Sequence, residues 1–163
     1  MQHSESIDKI MPALATVQQQ APKIGKSERN DAQKYNYANL ASYMDAIAGD
    51  MAECGLSLIT SAPDIQASEG RQTSSGKPQN GVYVRLVFTL VHTSGQWISI
   101  VSWGEGQDGG DKSLYKATTG ARKYGYALLF ALVTTDDPEK DNPGSNGKPA
   151  AAGEPTPNLD ELL

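Results

Sequence analysis

Apolar residues at helical spacing predict two helices in the first third of the chain. The first covers about residues 4 to 20, and Pro12 disfavours an uninterrupted helix there unless the helix begins near that residue. Its apolar side consists of Ile7, Ile10, Met11, Leu14 and Val17. The second covers about residues 38 to 54, and Gly55 is placed to end it in the left-handed conformation. Its apolar stripe consists of Leu40, Tyr43, Met44, Ile47 and Met51.

Alternation of apolar and polar residues predicts three strands in the middle of the chain. They cover residues 56–61, 82–92 and 97–103, and the last two form a hairpin around Gly95. One face of the central strand is wholly apolar and consists of Val82, Val84, Leu86, Phe88 and Leu90. Residues 63–81 and 104–111 are rich in Gly, Ser and Gln, so we expect both segments to be mobile loops.

The order of these elements predicts an α+β fold, in which a small antiparallel sheet packs on helices. A long helix over about residues 111–133 follows the hairpin. We expect residues 1–33 to form an N-terminal helix and linker, and residues 34–133 to form the core. Residues 134–163 show no apolar periodicity and should form a disordered acidic tail, which ends in the sequence LDELL.

The distribution of charge matters more than the net charge of −5. Residues 134–163 hold seven acidic and two basic residues, so the other 133 residues hold twelve of each and can still segregate them by face. One cysteine, Cys54, and two histidines argue against a disulfide framework and against a structural zinc site. No apolar run approaches the roughly 20 residues of a membrane span, and no signal peptide is visible. We therefore expect a cytoplasmic protein.

The long helix is predicted to have two chemically different sides. Residues 112–130 include four basic residues and no acidic residue. On a helical wheel, one side gathers Lys112, Lys116, Thr119, Lys123 and Tyr126, with Arg122 at its flank. The opposite side is small and apolar and consists of Leu114, Ala117, Ala121, Gly125 and Leu128. The cationic side is a candidate surface for the phosphates of a nucleic acid, and the alternative is an ordinary solvated helix face.

Tyrosines on this helix are candidates for stacking on unpaired bases, which contributes about 1–3 kcal/mol per base. They are Tyr115, Tyr124 and Tyr126. The alternative is that they belong to the hydrophobic core. Arg85 points away from the apolar face of the central strand, so it is a further candidate for a DNA groove. The alternative for Arg85 is a solvated side chain without a role.

Four features, in this order, resemble the Essential Recombination Function (ERF) family of phage single-strand annealing proteins. They are KYNYANL at residues 34–40 leading into a helix that closes at residues 53–56, the turn at residues 90–95, ATTGARKY at residues 117–124, and the pair Asp136-Asp137. The third is similar to the family's signature of alanine, threonine, tyrosine, alanine, two arginines and tyrosine. Here Gly120 stands in place of the signature's first tyrosine, and Lys123 in place of its second arginine. The resemblance covers about residues 34 to 137.

The resemblance implies a protein that forms rings or filaments, coats single-stranded DNA and pairs complementary strands. It also implies the β-β-β-α unit of the wider single-strand annealing superfamily, in agreement with three predicted strands followed by a long helix. Annealing in this family needs no nucleotide, and residues 104–110 lack the lysine of a phosphate-binding loop. We therefore expect neither an enzyme nor a required cofactor. Asp136, Asp137, Glu139 and Asp141 could hold Mg²⁺, or they simply form an acidic exit from the helix.

The C-terminal tip is a candidate site for a protein partner. It carries Leu159, Leu162 and Leu163 among two acidic residues, and could dock on a host single-strand-binding protein or a phage exonuclease. Alternatively, it folds back onto the cationic helix face or only keeps the chain soluble. As function we predict ATP-independent, oligomeric binding and annealing of single-stranded DNA in phage-type recombination. The alternative is an adaptor module that binds a replication or defence protein.

Overall fold

A computed structural model of the chain describes residues 1–25, 28–30 and 35–133. The helices in these ranges are α1 (Ile10–Gln20), α2 (Leu40–Glu53) and α3 (Ser113–Phe130). The strands in the same ranges are β1 (Gln2–His3), β2 (Glu28–Asn30), β3 (Tyr35–Tyr37), β4 (Leu56–Ser68), β5 (Asn80–His92) and β6 (Trp97–Asp108). The predicted α+β class is confirmed. The predicted tail, with Leu159, Leu162 and Leu163, lies outside the described residues.

The main sheet is antiparallel, with the strand order β1-β6-β5-β4. Leu90 of β5 lies opposite Leu58 of β4 and Ile98 of β6. The predicted apolar row of β5 is confirmed by the burial of Val84, Leu86, Phe88 and Leu90. Because side chains alternate along a strand, this row faces the helices and the neighbouring row faces away from them. β2 and β3 form a separate two-stranded ribbon.

The prediction of a mobile loop over residues 63–81 is wrong at both ends, because β4 and β5 extend into it. Antiparallel pairing satisfies backbone N–H and C=O groups whatever the side chains, so polar Ser and Gln residues can extend an edge strand. The register shifts between Ser61 and Asp64, which marks an irregularity in the pairing of β4 with β5. Only residues 69–79 remain between the two strands.

The prediction of a mobile loop at residues 104–111 is also wrong, since its first five residues belong to β6. A glycine inside a strand often marks the close approach of another backbone. A Cβ on Gly104 would overlap the carbonyl oxygen of Ala117, and Gly106 meets the helix one turn earlier in the same way. The absence of side chains on these glycines therefore lets the backbone of α3 lie directly on the sheet.

α1 begins at Ile10 rather than at residue 4. Pro12 therefore lies in its first turn, where the missing N–H has no helical acceptor to lose. The buried side chains of α1 are Ile10, Leu14 and Val17. Near the end of the helix, the Gln18 side-chain amide donates a hydrogen bond of 2.9 Å to the carbonyl oxygen of Leu129 in α3. The N-terminal segment thus shares one hydrophobic core with the sheet and α3.

α2 is bounded by two residues whose local chemistry suits a helix end. The Asn39 side chain accepts a hydrogen bond of 2.8 Å from the backbone N–H of Ser42, which caps the start of the helix. Gly55 has a φ of 65°, so its predicted left-handed conformation is confirmed. Ile47 is buried against the core as predicted, whereas Met44 of the same predicted stripe is 41% exposed. Met44 instead lines the surface between α2 and the sheet.

Candidate nucleic-acid interface

The two halves of α3 are covered to different extents by the sheet and the other helices. In its first half, Ala117 and Ala121 are fully buried against the sheet. In its second half, Tyr126, Leu129 and Phe130 are buried as well, although they lie on other sides of the helix. α1 and α2 pack there, so this half is enclosed between the sheet and two helices. The first half therefore keeps open the side that carries Lys112 and Lys116, whereas the exposed residues of the second half, Tyr124 and Leu128, lie on a different side of the helix.

We call the open side of the first half the exposed start of α3. It consists of Lys112, Tyr115, Lys116 and Thr119, all of which are exposed. From Asp108 to Lys116 the chain has two basic and two acidic residues, and the excess of positive charge comes from Arg122 and Lys123 later in the helix. Tyr115 is 71% exposed, so its side chain is accessible to a ligand. The structure thus brings together three of the predicted site residues, Lys112, Lys116 and Thr119.

Tyr126 does not belong to this face, contrary to the prediction from the helical wheel. It is 6% exposed, and its ring packs edge-to-face on Phe88 with 5.7 Å between the ring centroids. The predicted apolar side is wrong at Leu114 and Leu128, which are 37% and 67% exposed. A wheel assumes one buried side, whereas α1 and α2 add a second one at the end of this helix. Tyr126 is therefore a core residue.

Asp108, at the end of β6, holds Lys116. Its carboxylate is 2.5 Å from Lys116 Nζ and accepts a hydrogen bond of 2.9 Å from the backbone N–H of Gly110. The hydrogen bond from Lys116, followed by that from Gly110, holds the pKa of Asp108 below its ordinary value. The carboxylate is therefore ionised at neutral pH, and a phosphate must compete with it for Lys116. Lys112 has no ion-pair partner in the described part of the chain.

Replacing Asp108 by asparagine should strengthen the binding of single-stranded DNA, because it removes this competing charge. The asparagine oxygen can still accept the hydrogen bond from Gly110, so the fold should be retained. For one partly exposed ion pair we expect an affinity for oligo-dT about two- to fivefold higher at low salt, measured by fluorescence anisotropy. Asp111→Asn makes the same change of charge without breaking an ion pair of the described residues. An equal gain in both variants would show that only the overall charge matters.

Arg122 and Lys123 lie beside the exposed start of α3. Lys123 is half-buried, and this burial lowers the pKa of its ammonium group. The Arg122 guanidinium reaches α2, where its Nη2 atom is 3.9 Å from Met44 Sδ. It lines a groove between α2, α3 and β4 rather than the open face. The predicted cationic side is therefore divided between an open surface and a groove.

Arg85 lies on the other face of the sheet. Because Val84 and Leu86 face the helices, the side chain between them faces away. The Arg85 guanidinium lies over the ring of Trp103, 5.9 Å from the ring centroid, which is a cation–π arrangement. The structure therefore does not bring Arg85 together with the residues of α3, and a role of Arg85 in DNA binding stays a prediction.

Two exposed aromatic residues, Trp103 and Tyr83, are absent from the predicted site. They are 55% and 43% exposed and lie on the same uncovered face of the sheet as Arg85. The alternation of side chains along β6 is the sequence signal that points to Trp103. Ile98 and Ile100 face the helices, so the odd-numbered residues of this strand must face away from them. Asp108 is also absent from the predicted site, because its segment is predicted to be a loop.

A metal-binding cluster and a membrane-spanning helix are both absent from residues 1–25, 28–30 and 35–133. In these ranges, no group of three or more His, Cys, Asp or Glu side chains is placed to hold a metal ion. The candidate Mg²⁺ ligands Asp136, Asp137, Glu139 and Asp141 lie outside them. No helix among the described residues has both the length and the apolar character needed to cross a bilayer.

Comparison with protein families finds a match that covers nearly the whole chain. The model of the ERF superfamily matches residues 10–162. The matched range begins with α1 and includes α2, α3 and the strands β2 to β6. No curated protein matches the chain.

Proposed function

Because this chain belongs to the ERF superfamily, we propose that it binds single-stranded DNA and anneals complementary strands. At the level of the family, this membership supports a role in phage-type recombination. Our finer proposal is an ATP-independent protein that acts as an oligomer, as a ring or filament, in the cytoplasm of a bacterial host. The same pairing of strands would serve DNA repair. We propose no catalytic site and no required cofactor.

The observation that supports this proposal best is the exposed start of α3. Lys112 and Lys116 place two ammonium groups on one open side, near the exposed ring of Tyr115. Lysines that neutralise phosphates release counterions, which supplies most of the sequence-independent affinity for nucleic acids. A tyrosine ring beside them can stack on an unpaired base. The face therefore suits a single strand better than a duplex, whose bases are already stacked on one another.

In the proposed mechanism, the protein binds the phosphates of the strand and leaves most of its bases free. Phosphates lie along the cationic side of α3, so the strand is held extended while most of its bases point outward. A complementary strand can then pair with these bases without energy from a nucleotide. Because one protomer offers few cations, we propose that neighbouring protomers extend the same face into a longer track. Such linked sites raise the overall affinity without new contacts inside each protomer.

Salt should strongly weaken the binding of oligo-dT. With about two to four phosphate contacts per protomer, we expect an affinity about 7- to 50-fold lower at roughly 200 mM than at roughly 50 mM salt. Fluorescence anisotropy of labelled oligo-dT measures this dependence, and annealing of complementary oligonucleotides in the absence of nucleotide tests the activity. Binding that is absent or insensitive to salt would contradict the proposal.

A second candidate function is an adaptor that binds a replication or defence protein. The observation that favours it is the uncovered face of the sheet, where large apolar side chains are exposed. They include Ile59, Tyr83, Val101 and Trp103. Contiguous exposed apolar surface is typical of protein-binding sites. A partner bound there should stay bound at high salt, in contrast to DNA on α3.

The partners of the C-terminal tip belong to the same proposal. We propose that Leu159, Leu162 and Leu163 contact a host single-strand-binding protein or a phage exonuclease. The support for this is the sequence alone, in which apolar and acidic residues alternate at the end of a proline-rich segment.

A further inference from the structure

Arg122 has an unusual environment for an arginine. Its Nε atom is buried and has no hydrogen-bond partner in the described part of the chain. Its Nη2 atom makes two long contacts, 3.5 Å to the Tyr126 hydroxyl and 3.9 Å to Met44 Sδ. Native proteins rarely leave a buried donor without an acceptor, because the loss of hydration is unfavourable. Because Nε is buried, an acceptor from outside the chain would meet the guanidinium at its Nη atoms, whose contacts within the described residues are long.

The guanidinium opens into a groove between α2, α3 and β4 with a volume of about 500 Å³. The polar residues that line this groove are Thr60, Ser61, Thr118, Arg122 and Tyr126. None of the described residues that line it carries a carboxylate. An arginine beside Ser and Thr hydroxyls is the donor set that proteins commonly use for the phosphate oxygens of nucleic acids.

The same groove continues into an apolar pocket of about 290 Å³ beneath α2. Met44, Leu58 and Tyr126 line both the groove and the pocket. The remaining lining of the pocket consists of Ile47, Ala48, Met51, Ala52 and Leu56. Methionine side chains are unbranched and polarizable, so they adapt well to a flat aromatic ligand. The combined cavity therefore has a cation at one end and an apolar surface at the other.

We propose that this cavity holds one nucleotide of a single strand, with the phosphate on Arg122 and the base in the apolar pocket. This inference rests on the proposed function, and it specifies where on α3 the strand is bound. Arg122 lies six residues after Lys116, which is about 9 Å along the helix axis. One strand can therefore contact the exposed start of α3 and then enter the groove. Only an unpaired base can enter the pocket, so the site selects single strands over duplex.

The lining favours a DNA strand over a free nucleoside triphosphate. A phosphodiester carries one negative charge for each phosphate, which a single guanidinium can match. A triphosphate needs a glycine-rich loop of backbone N–H groups and further cations. Arg122 is the sole cation among the described residues that line the groove. Met44 is partly exposed, so a base can reach the pocket from the solvent side of α2.

Arg122→Met tests the phosphate end of the cavity. It should lower the affinity for oligo-dT about tenfold at low salt and reduce the slope of log affinity against log salt by about 0.7, the value of one contact on a single strand. Arg71→Met is the matched control, because it removes an exposed arginine that pairs with Glu105 at 2.9 Å. The control should change the affinity less than about twofold. Circular dichroism and thermal unfolding establish that each variant is folded.

Met44→Trp tests the base end without changing the cation. Because Met44 is partly exposed, the larger ring can fill the pocket without entering the core. The affinity should fall about fivefold, within the range of one lost base contact, while the salt slope stays that of the wild type. An oligo-dT that carries one photoreactive 4-thiothymidine should crosslink to α2 in the wild type and lose this crosslink in both variants.

Two results would overturn the inference while leaving the proposed function intact. In the first, folded Arg122→Met binds oligo-dT with the same affinity as Arg71→Met, and the wild type forms no crosslink to α2. The other is displacement of the α2 crosslink by an equal concentration of thymidine triphosphate, which would identify a free-nucleotide site. Absence of binding by the wild type would contradict the proposed function itself. If Arg122→Met does not fold, the salt slope and crosslink of Met44→Trp decide the question.

Discussion

Replacing Gly104 by alanine should lower the free energy of unfolding by about 2–3 kcal/mol, as expected for overpacking in a core. The new Cβ would overlap the backbone carbonyl oxygen of Ala117 and crowd the backbone nitrogen of Ala121. Backbone atoms inside a helix cannot turn aside as the end of a long side chain can, so α3 would have to move away from β6. Urea unfolding followed by circular dichroism measures this change.

Gly120→Ala is the matched control, because it makes the same substitution in α3 at a position where no neighbouring atom of the described residues lies within 4 Å of the new Cβ. Alanine favours a helix over glycine by about 1 kcal/mol, so this variant should be slightly more stable than the wild type. If Gly104→Ala lowers the free energy of unfolding and Gly120→Ala raises it, the close approach of α3 explains why a glycine stands at position 104. An unchanged stability of Gly104→Ala would mean that α3 does not lie against β6 as described.

Changing both Lys112 and Lys116 to glutamate should lower the affinity for oligo-dT at least about 30-fold and abolish strand annealing. Part of the loss comes from two missing phosphate contacts, and part from the repulsion of phosphates by two new carboxylates. The fold should be retained, because acidic residues near a helix N-terminus interact favourably with its dipole. The ion pair between Lys116 and Asp108 is only partly buried, so its contribution to stability is small.

A control double variant, Lys9→Glu with Lys23→Glu, changes the net charge by the same amount. Both lysines are exposed and lie outside α3. This control should retain most of its annealing activity in a gel assay with complementary oligonucleotides. An equal loss in both double variants would mean that total charge controls binding. Annealing at the wild-type rate by the Lys112 and Lys116 variant would contradict the placement of the strand on α3.

Features that depend only on residues close together in the sequence were predictable from it. The buried row of β5 follows from strict alternation, which a strand converts into a single face. The end of α2 at Gly55 follows from the backbone preference of glycine, and the preference of Pro12 explains why α1 begins at Ile10 rather than at residue 4. The presence of four basic residues and no acidic residue over residues 112–130 follows from composition alone.

Both errors in the predicted loops share one physical cause. A composition rich in Gly, Ser and Gln predicts mobile loops, yet each of these segments completes a strand. Strand pairing and the approach of a helix are contacts between distant segments, and they stabilise backbone that has no apolar pattern of its own. Gly104 and Gly106 are two residues apart, so they leave the same face of a strand without side chains. This spacing could have predicted the close approach of another backbone.

The sequence alone determined the α+β class, the order of the main elements and the resemblance to the ERF family, which the family match confirms. These features depend on composition and on periodicity within single elements. Only the tertiary structure decided which part of α3 stays open, because α1 and α2 cover its second half and bury Tyr126. It also decided that Asp108 holds Lys116 and that Arg122 lines a groove beside α2. These contacts join separate elements, and the periodicity of one element carries no information about the surface that another will cover.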